Sequence, residues 1–230
     1  MSVPSQRRPA VAIAALAFVV LNIGLASSLV IAAYGFDLGT FTDVGSLVER
    51  GGAAAELLRW GGLIDAVGYL ALAPVVLHLQ RERPAPVLAA AGLGFSLVGA
   101  IGALTLASAG PWLLSGVASG TIQPEIARTA FGALEKAVYV GLWGALGQSL
   151  LGTWLIGTSW LMRADSRLFA FLGIGSGLGS LGYALRTGVM GQPPMPITSP
   201  LDLAILGGIG LVPVWVTWLA VRLAVGRAVG

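Results

Sequence analysis

Cysteine is missing from the 230 residues, and histidine and lysine each occur once. Without cysteine there are no disulfides, thiol nucleophiles or thiolate metal sites. One histidine, His78, rules out a His-cluster metal site. No metal and no cofactor is expected. Charge is scarce as well: 10% of residues are Asp, Glu, Lys or Arg, whereas a soluble domain carries about 25%. That scarcity excludes an ordinary cytosolic globule, a disordered chain and a nucleic-acid-binding module.

What the chain has is apolar residue. The hydrophobic share is 56% and the mean hydropathy is +0.87. Both point to a polytopic membrane protein, with the lipid bilayer as its first partner. Twelve arginines against one lysine, with abundant Ala and Gly, fit a GC-rich bacterial gene and hence a bacterial inner membrane. Six apolar stretches stand out, at 10–34, 57–79, 87–108, 136–161, 168–185 and 201–223. Each approaches the roughly 20 residues that span a bilayer as a helix. Helices are expected because an open strand leaves its backbone groups unpaired in lipid. A membrane barrel would alternate apolar and polar residues, and these runs do not. The expected fold is therefore all-α, one integral membrane domain of six transmembrane helices over 1–230. The first run follows Arg7 and Arg8 and exceeds a signal-peptide core of about 7–15 residues, so it reads as an uncleaved first span.

Orientation follows from the arginines. One side holds Arg7, Arg8, Arg81, Arg83, Arg163, Arg167, Arg222 and Arg227, against Glu82 and Asp165. The other holds Arg50, Arg59, Arg128, Lys136 and Arg186 with the remaining acids. The positive-inside rule places both termini in the cytoplasm. The outer connections are the longer ones. Residues 35–56 hold two polar, helix-compatible pieces parted by Gly51 and Gly52, with Asp43 as a cap. Gly110-Pro111 reads as a helix break, and Pro124 as a new start. A helix from Pro124 to Leu161 would measure about 57 Å, so it either projects outward or bends near Gly132. Pro193, Pro194, Pro196 and Pro200 imply an irregular outer loop.

Asp65 is the residue that asks most for explanation. A charge at the centre of a spanning helix costs about 2.5–3.5 kcal/mol on the insertion scale. A cation, a water-filled cavity or protonation has to offset that cost. Lys136 and Arg186 are the candidate cations, each able to snorkel toward it. Asn22 and Gln148 lie mid-helix in the first and fourth stretches and complete a candidate polar cluster of Asp65, Lys136, Arg186, Asn22 and Gln148. The plain alternative is a structural ion pair and inter-helix hydrogen bonds. Asp202 follows Ser199-Pro200 and suits a helix N-terminus. His78 reads as an interface marker. Pro74 and Pro213 predict kinks. Trp60, Trp112 and Trp160 mark interfaces, while Trp143, Trp154, Trp215 and Trp218 lie deeper. Glycines at helical spacing, such as Gly141, Gly144 and Gly147, Gly175 with Gly179, and Gly24 with Ser28, read as helix-packing contacts. Gly177 to Gly182 matches a dinucleotide fingerprint, but inside an apolar helix it lacks the required strand. Tyr69 and Tyr139 follow Asp65 and Lys136 at similar offsets, too little for an internal repeat.

The segments "LIDAVGYLALAPVVLHLQRER" at 63–83 and "GLWGALGQSLLGTWLIGTSWLMRADSRLFAFLGIGSGLGSLGYAL" at 141–185 make the chain similar to the DUF4386 family of bacterial six-helix membrane proteins. The resemblance implies an architecture and no activity or catalytic residue. The functional expectation is a small-molecule or lipid transporter or binding protein with a polar outer-leaflet cavity at Asp65. The alternatives are an accessory or structural subunit of a membrane complex, with a second copy or another membrane protein as partner, and an intramembrane lipid-modifying enzyme. No catalytic residue is assigned.

Overall fold

A computed structural model describes residues 7–35, 44–191, 197 and 199–225. Pro193, Pro194 and Pro196 of the expected outer loop, the Asp43 cap and Arg227 lie outside the described residues. Among the described residues the structure is all-helical, with no strand. In chain order come α1 (Arg7–Ala17), a π-helical segment (Phe18–Ala26), α2 (Ser27–Tyr34), α3 (Val44–Glu82) and α4 (Pro86–Ala118). Then follow α5 (Pro124–Glu135), a second π-helical segment (Lys136–Gly147), α6 (Gln148–Leu161), α7 (Arg167–Met190), α8 (Pro200–Gly210) and α9 (Val212–Ala224). Five rods are long and apolar enough to cross a membrane: Arg8–Tyr34, Gly45–Glu82, Pro86–Ala118, Arg167–Met190 and Pro200–Ala224. Much of their apolar surface faces outward. Ile13, Leu70, Ile101, Phe171 and Leu178 are all exposed, as lipid-bathed side chains must be.

Two helices are longer than expected. The apolar stretch at 57–79 is only part of α3, whose 39 residues reach from Val44 to Glu82. Its one non-helical residue is Gly51, at φ 54 and ψ −124. A side chain there would strain the backbone, so glycine carries the kink. The expected break at Gly110-Pro111 does not occur, because α4 continues through Pro111 to Ala118. Leu113 and Leu114 explain this: both are buried against Leu58, Val48 and Phe131, and that packing holds the turn beyond the proline. At 1.5 Å per residue these helices measure about 58 and 50 Å, against a bilayer core of about 30 Å. The surplus of α3 bears Glu49, Arg50, Glu56 and Arg59, all exposed. With the end of α4 and with α5 it forms a cap around Leu47, Ala54, Leu114, Ala127 and Phe131. Pro74 leaves α3 helical, whereas Pro213 starts α9 after a break at Leu211.

Two apolar cores stack along the bundle. The cap core lies at the end away from the arginine-rich turns. The larger core lies at the arginine-rich end. There Trp215 stacks on Phe169 with 4.9 Å between ring centroids, and Trp154 meets Trp215 edge-on at 5.6 Å. Two short turns close that end. Arg83 donates to both carboxylate oxygens of Asp165, at 2.9 and 2.7 Å, and also to the Leu161 carbonyl. So Arg83 and Asp165 do more than signal topology: they clip the α3–α4 turn to the α6–α7 turn. His78 is buried rather than at a surface, 4.0 Å from Glu82.

The rods follow one another round the bundle: the first packs on α3, α3 on α4, α4 on α6, α6 on α7, and α7 on α8. The circuit is completed by α1 against α9 at the arginine-rich end. Toward the other end, neither the first π segment nor α2 packs on α8. Among the described residues the bundle is a closed ring in one half, where α9 also touches the first π segment, and an open arc in the other.

Candidate functional site

Between the two apolar cores runs a thread of polar side chains, and both π-helical segments contribute to it. The first positions Asn22. Its approach depends on Gly68 of α3, where a Cβ would stand 2.8 Å from the Asn22 backbone nitrogen. The close contact lets the Asn22 amide nitrogen donate to Asp65 Oδ1 at 2.5 Å. Tyr69 follows Asp65 by four residues, so α3 carries both on one face. The Tyr69 phenol lies beside Asn22 and within electrostatic reach of Asp65.

The second π segment brings Tyr139 and Trp143. Glu135, Tyr139 and Trp143 recur every four residues and share a face. Tyr139 stands edge-on to Trp143 at 4.9 Å, and Trp143 lies 6.2 Å from Tyr69. Two glycines of α4 make room for these rings. A Cβ on Gly99 would enter the Tyr69 ring, and one on Gly102 would stand 2.5 Å from Trp143 Nε1. The indole N–H donates to the Gly99 carbonyl at 3.1 Å. Glu135 ends the thread toward the cap, where it accepts from the Tyr34 hydroxyl. Asp65, Glu135 and Tyr69 all act electrostatically on the Tyr139 phenol. Asn22, Asp65, Tyr69, Tyr139 and Trp143 are each half-buried, whereas Glu135 is buried.

The expected cluster is only partly assembled. Asn22 and Asp65 meet. Arg186 does not reach Asp65: its Nε pairs with Asp202 Oδ1 at 2.7 Å, joining α7 to α8. Asp202 is 1% exposed and also accepts from the Ser199 hydroxyl at 2.9 Å, so it is an ion-pair partner as well as a helix-start residue. Lys136 is exposed and forms no ion pair among the described residues. Its side chain leaves the helix about 100° round from that of Glu135, toward the surroundings. Gln148 opens α6 with a buried side-chain oxygen and no hydrogen-bond partner among the described residues.

Further polar atoms face the same interior. Ser176, Ser180, Tyr183 and Thr187 are spaced by four, three and four residues along α7. That face lies between the one on α6, where Gly177 meets Gly152, and the one on α8, where Gly179 meets Gly208. Ser180 and Thr187 are 0% exposed, and neither hydroxyl has a partner among the described residues. Buried polar atoms are nearly always satisfied, by protein, water or ligand.

Sequence reasoning missed Tyr69, Tyr139, Trp143 and the Tyr34–Glu135 contact as site members. The signal available was the spacing of four residues from Asp65 to Tyr69 and from Glu135 through Tyr139 to Trp143. Among the described residues no group of three or more His, Cys, Asp or Glu is arranged to hold a metal. Comparison with protein-family models, curated proteins and solved structures finds no match to this chain.

Proposed function

We propose that this chain is an integral protein of a bacterial inner membrane with six spans, both termini in the cytoplasm and the cap outside. The sixth span is the run from Pro124 to Leu161, divided by its π segment. On this reading the protein binds a small amphiphilic molecule in the polar thread at Asp65 and moves it through the membrane. The observation that carries the reading is the Asn22–Asp65 pair, set between two π-helical stretches inside an otherwise apolar bundle. Such stretches are rare and are frequent at functional sites. Fold maintenance alone gives the weaker account of them, because a polar contact between membrane helices is worth only about 0.6 kcal/mol on average. A charge-bearing group within a span is costly, and function is what ordinarily retains it. The resemblance to the DUF4386 family agrees with the six-span layout and adds no activity.

The test is extraction into native-lipid nanodiscs followed by native mass spectrometry. The expected result is one protein carrying a retained small molecule or lipid, lost in Asn22→Ala. That substitution strands the Asp65 carboxyl and should cost about 1–3 kcal/mol of stability, so a variant that still melts cooperatively would locate the loss at the site. A stoichiometric protein partner with no bound small molecule would overturn the reading in favour of an accessory subunit.

A further inference from the structure

The thread has a chemical bias that narrows its ligand; the argument rests on the reading above. It contains two carboxyl groups, Asp65 and Glu135. Neither is ion-paired among the described residues: Asp65 takes the Asn22 amide and Glu135 the Tyr34 hydroxyl. The two cations that would have answered them are committed elsewhere, Arg186 to Asp202 and Lys136 to the exposed face. A carboxyl group out of water either keeps its proton or takes a compensating positive charge, so an entering cation favours the ionised form. The surrounding walls are aromatic: Trp143 stands 6.2 Å from Tyr69 and 4.9 Å from Tyr139, and Phe18 and Phe95 pack on Tyr69 at 6.2 and 5.4 Å. Aromatic faces attract cations, quaternary ammonium groups included. Among the described residues, neither the first π segment nor α2 packs on α8, and access is assigned to that side. An anion would oppose an ionised carboxyl there, and a neutral sugar would not draw on the aromatic faces as a cation does.

We propose that the Asp65 site binds an organic cation, an ammonium-type group carried on an apolar body. The cation lies between the Asp65 carboxylate and the rings of Tyr69, Tyr139 and Trp143, and the apolar body extends through the open arc into the membrane. The ammonium group belongs either to a free amphiphilic cation or to an aminophospholipid headgroup.

The experiment uses the full chain in phosphatidylglycerol nanodiscs, titrated with tetraphenylphosphonium and read by tryptophan quenching. Neutral triphenylphosphine oxide is titrated in parallel. Saturable binding of the cation is expected, weakened about tenfold or more in Asp65→Asn and kept in Asp65→Glu. Glu135→Gln should shift it in the same direction by less, and it carries the test if Asp65→Asn fails to fold. A repeat in discs half phosphatidylethanolamine separates the sources: weaker cation binding identifies the lipid amine as occupant, and unchanged binding identifies a free cation. If the neutral oxide binds as tightly as the cation and Asp65→Asn changes neither, the cation class is wrong while the site survives. If neither probe saturates, the cation proposal and the ligand-binding reading both fall.

Discussion

Asp202 and Asp65 are both acids within apolar helices, and they are satisfied in opposite ways. Asp202 is fully enclosed and holds Arg186 at 2.7 Å. Removing one member of such a pair strands the other. Arg186→Met should therefore destabilise the protein by about 3–5 kcal/mol, and adding Asp202→Asn should recover a good part of it. Thermal unfolding in detergent measures both, and a double variant no more stable than the single one would contradict the pairing. Asp65 was conspicuous in the sequence because a charge inside an apolar run has few causes. Its partner was not legible. Arg186 and Lys136 looked equivalent by depth, and only the packing of α7 on α8 decides that Arg186 turns to Asp202. Asn22 was visible as a polar residue at mid-helix. That it meets Asp65, 43 residues away, depends on the close approach at Gly68.

At the scale of elements, apolar runs located the rods well and their ends poorly. Runs report where lipid lies, and α3 and α4 continue as helices beyond the apolar part. Pro111 shows the limit of local rules: its missing N–H is a local cost, and the cap core buried by Leu113 and Leu114 outweighs it. The two π segments, of 9 and 12 residues, left no trace in the pattern, since both are apolar nearly throughout and widening their turns leaves that composition unchanged. The glycines divide unequally. Gly144 abuts Thr187 and Gly179 abuts Gly208, whereas Gly141 has open space around it and Gly24 is exposed. Gly102 gives a direct check. Gly102→Ala drives a methyl against Trp143 Nε1 and should cost about 1–3 kcal/mol, with a changed near-ultraviolet signal from the displaced indole. Gly207→Ala, which meets nothing within 4 Å, should be neutral or stabilising by up to about 1 kcal/mol. Equal effects of the two on melting would contradict the account of α4 as the floor under the aromatic rings.

For the molecule as a whole, the arginine count gives a prediction that the natural lack of cysteine makes simple to test. Single cysteines at Glu49 and Glu125, on the cap, should react with a membrane-impermeant maleimide on intact cells. A cysteine at Arg163, beside Trp160 in the α6–α7 turn, should react only after permeabilisation. The reverse pattern would invert the orientation. Five of the six stretches, those that lie in rods long and apolar enough to cross a membrane, and their order were readable from sequence because hydropathy is a property of each segment alone. The circuit they make was not, since which rods touch is a property of pairs.

Among the described residues that circuit is fastened at the arginine-rich end, and on the proposed placement the two faces of the bilayer are unequal solvents for this protein. At the arginine-rich end the lipid tails meet a sealed wall, with α1 seated on α9 and tryptophans packed behind it. Near the cap, among the described residues, no contact joins the first rod to α8. On the proposed reading, a molecule dissolved in that leaflet reaches Asp65 without ever passing through water. For the proposed ligand, concentration at the site would then be set by how well it partitions into lipid, and only indirectly by how much of it the surrounding solution holds.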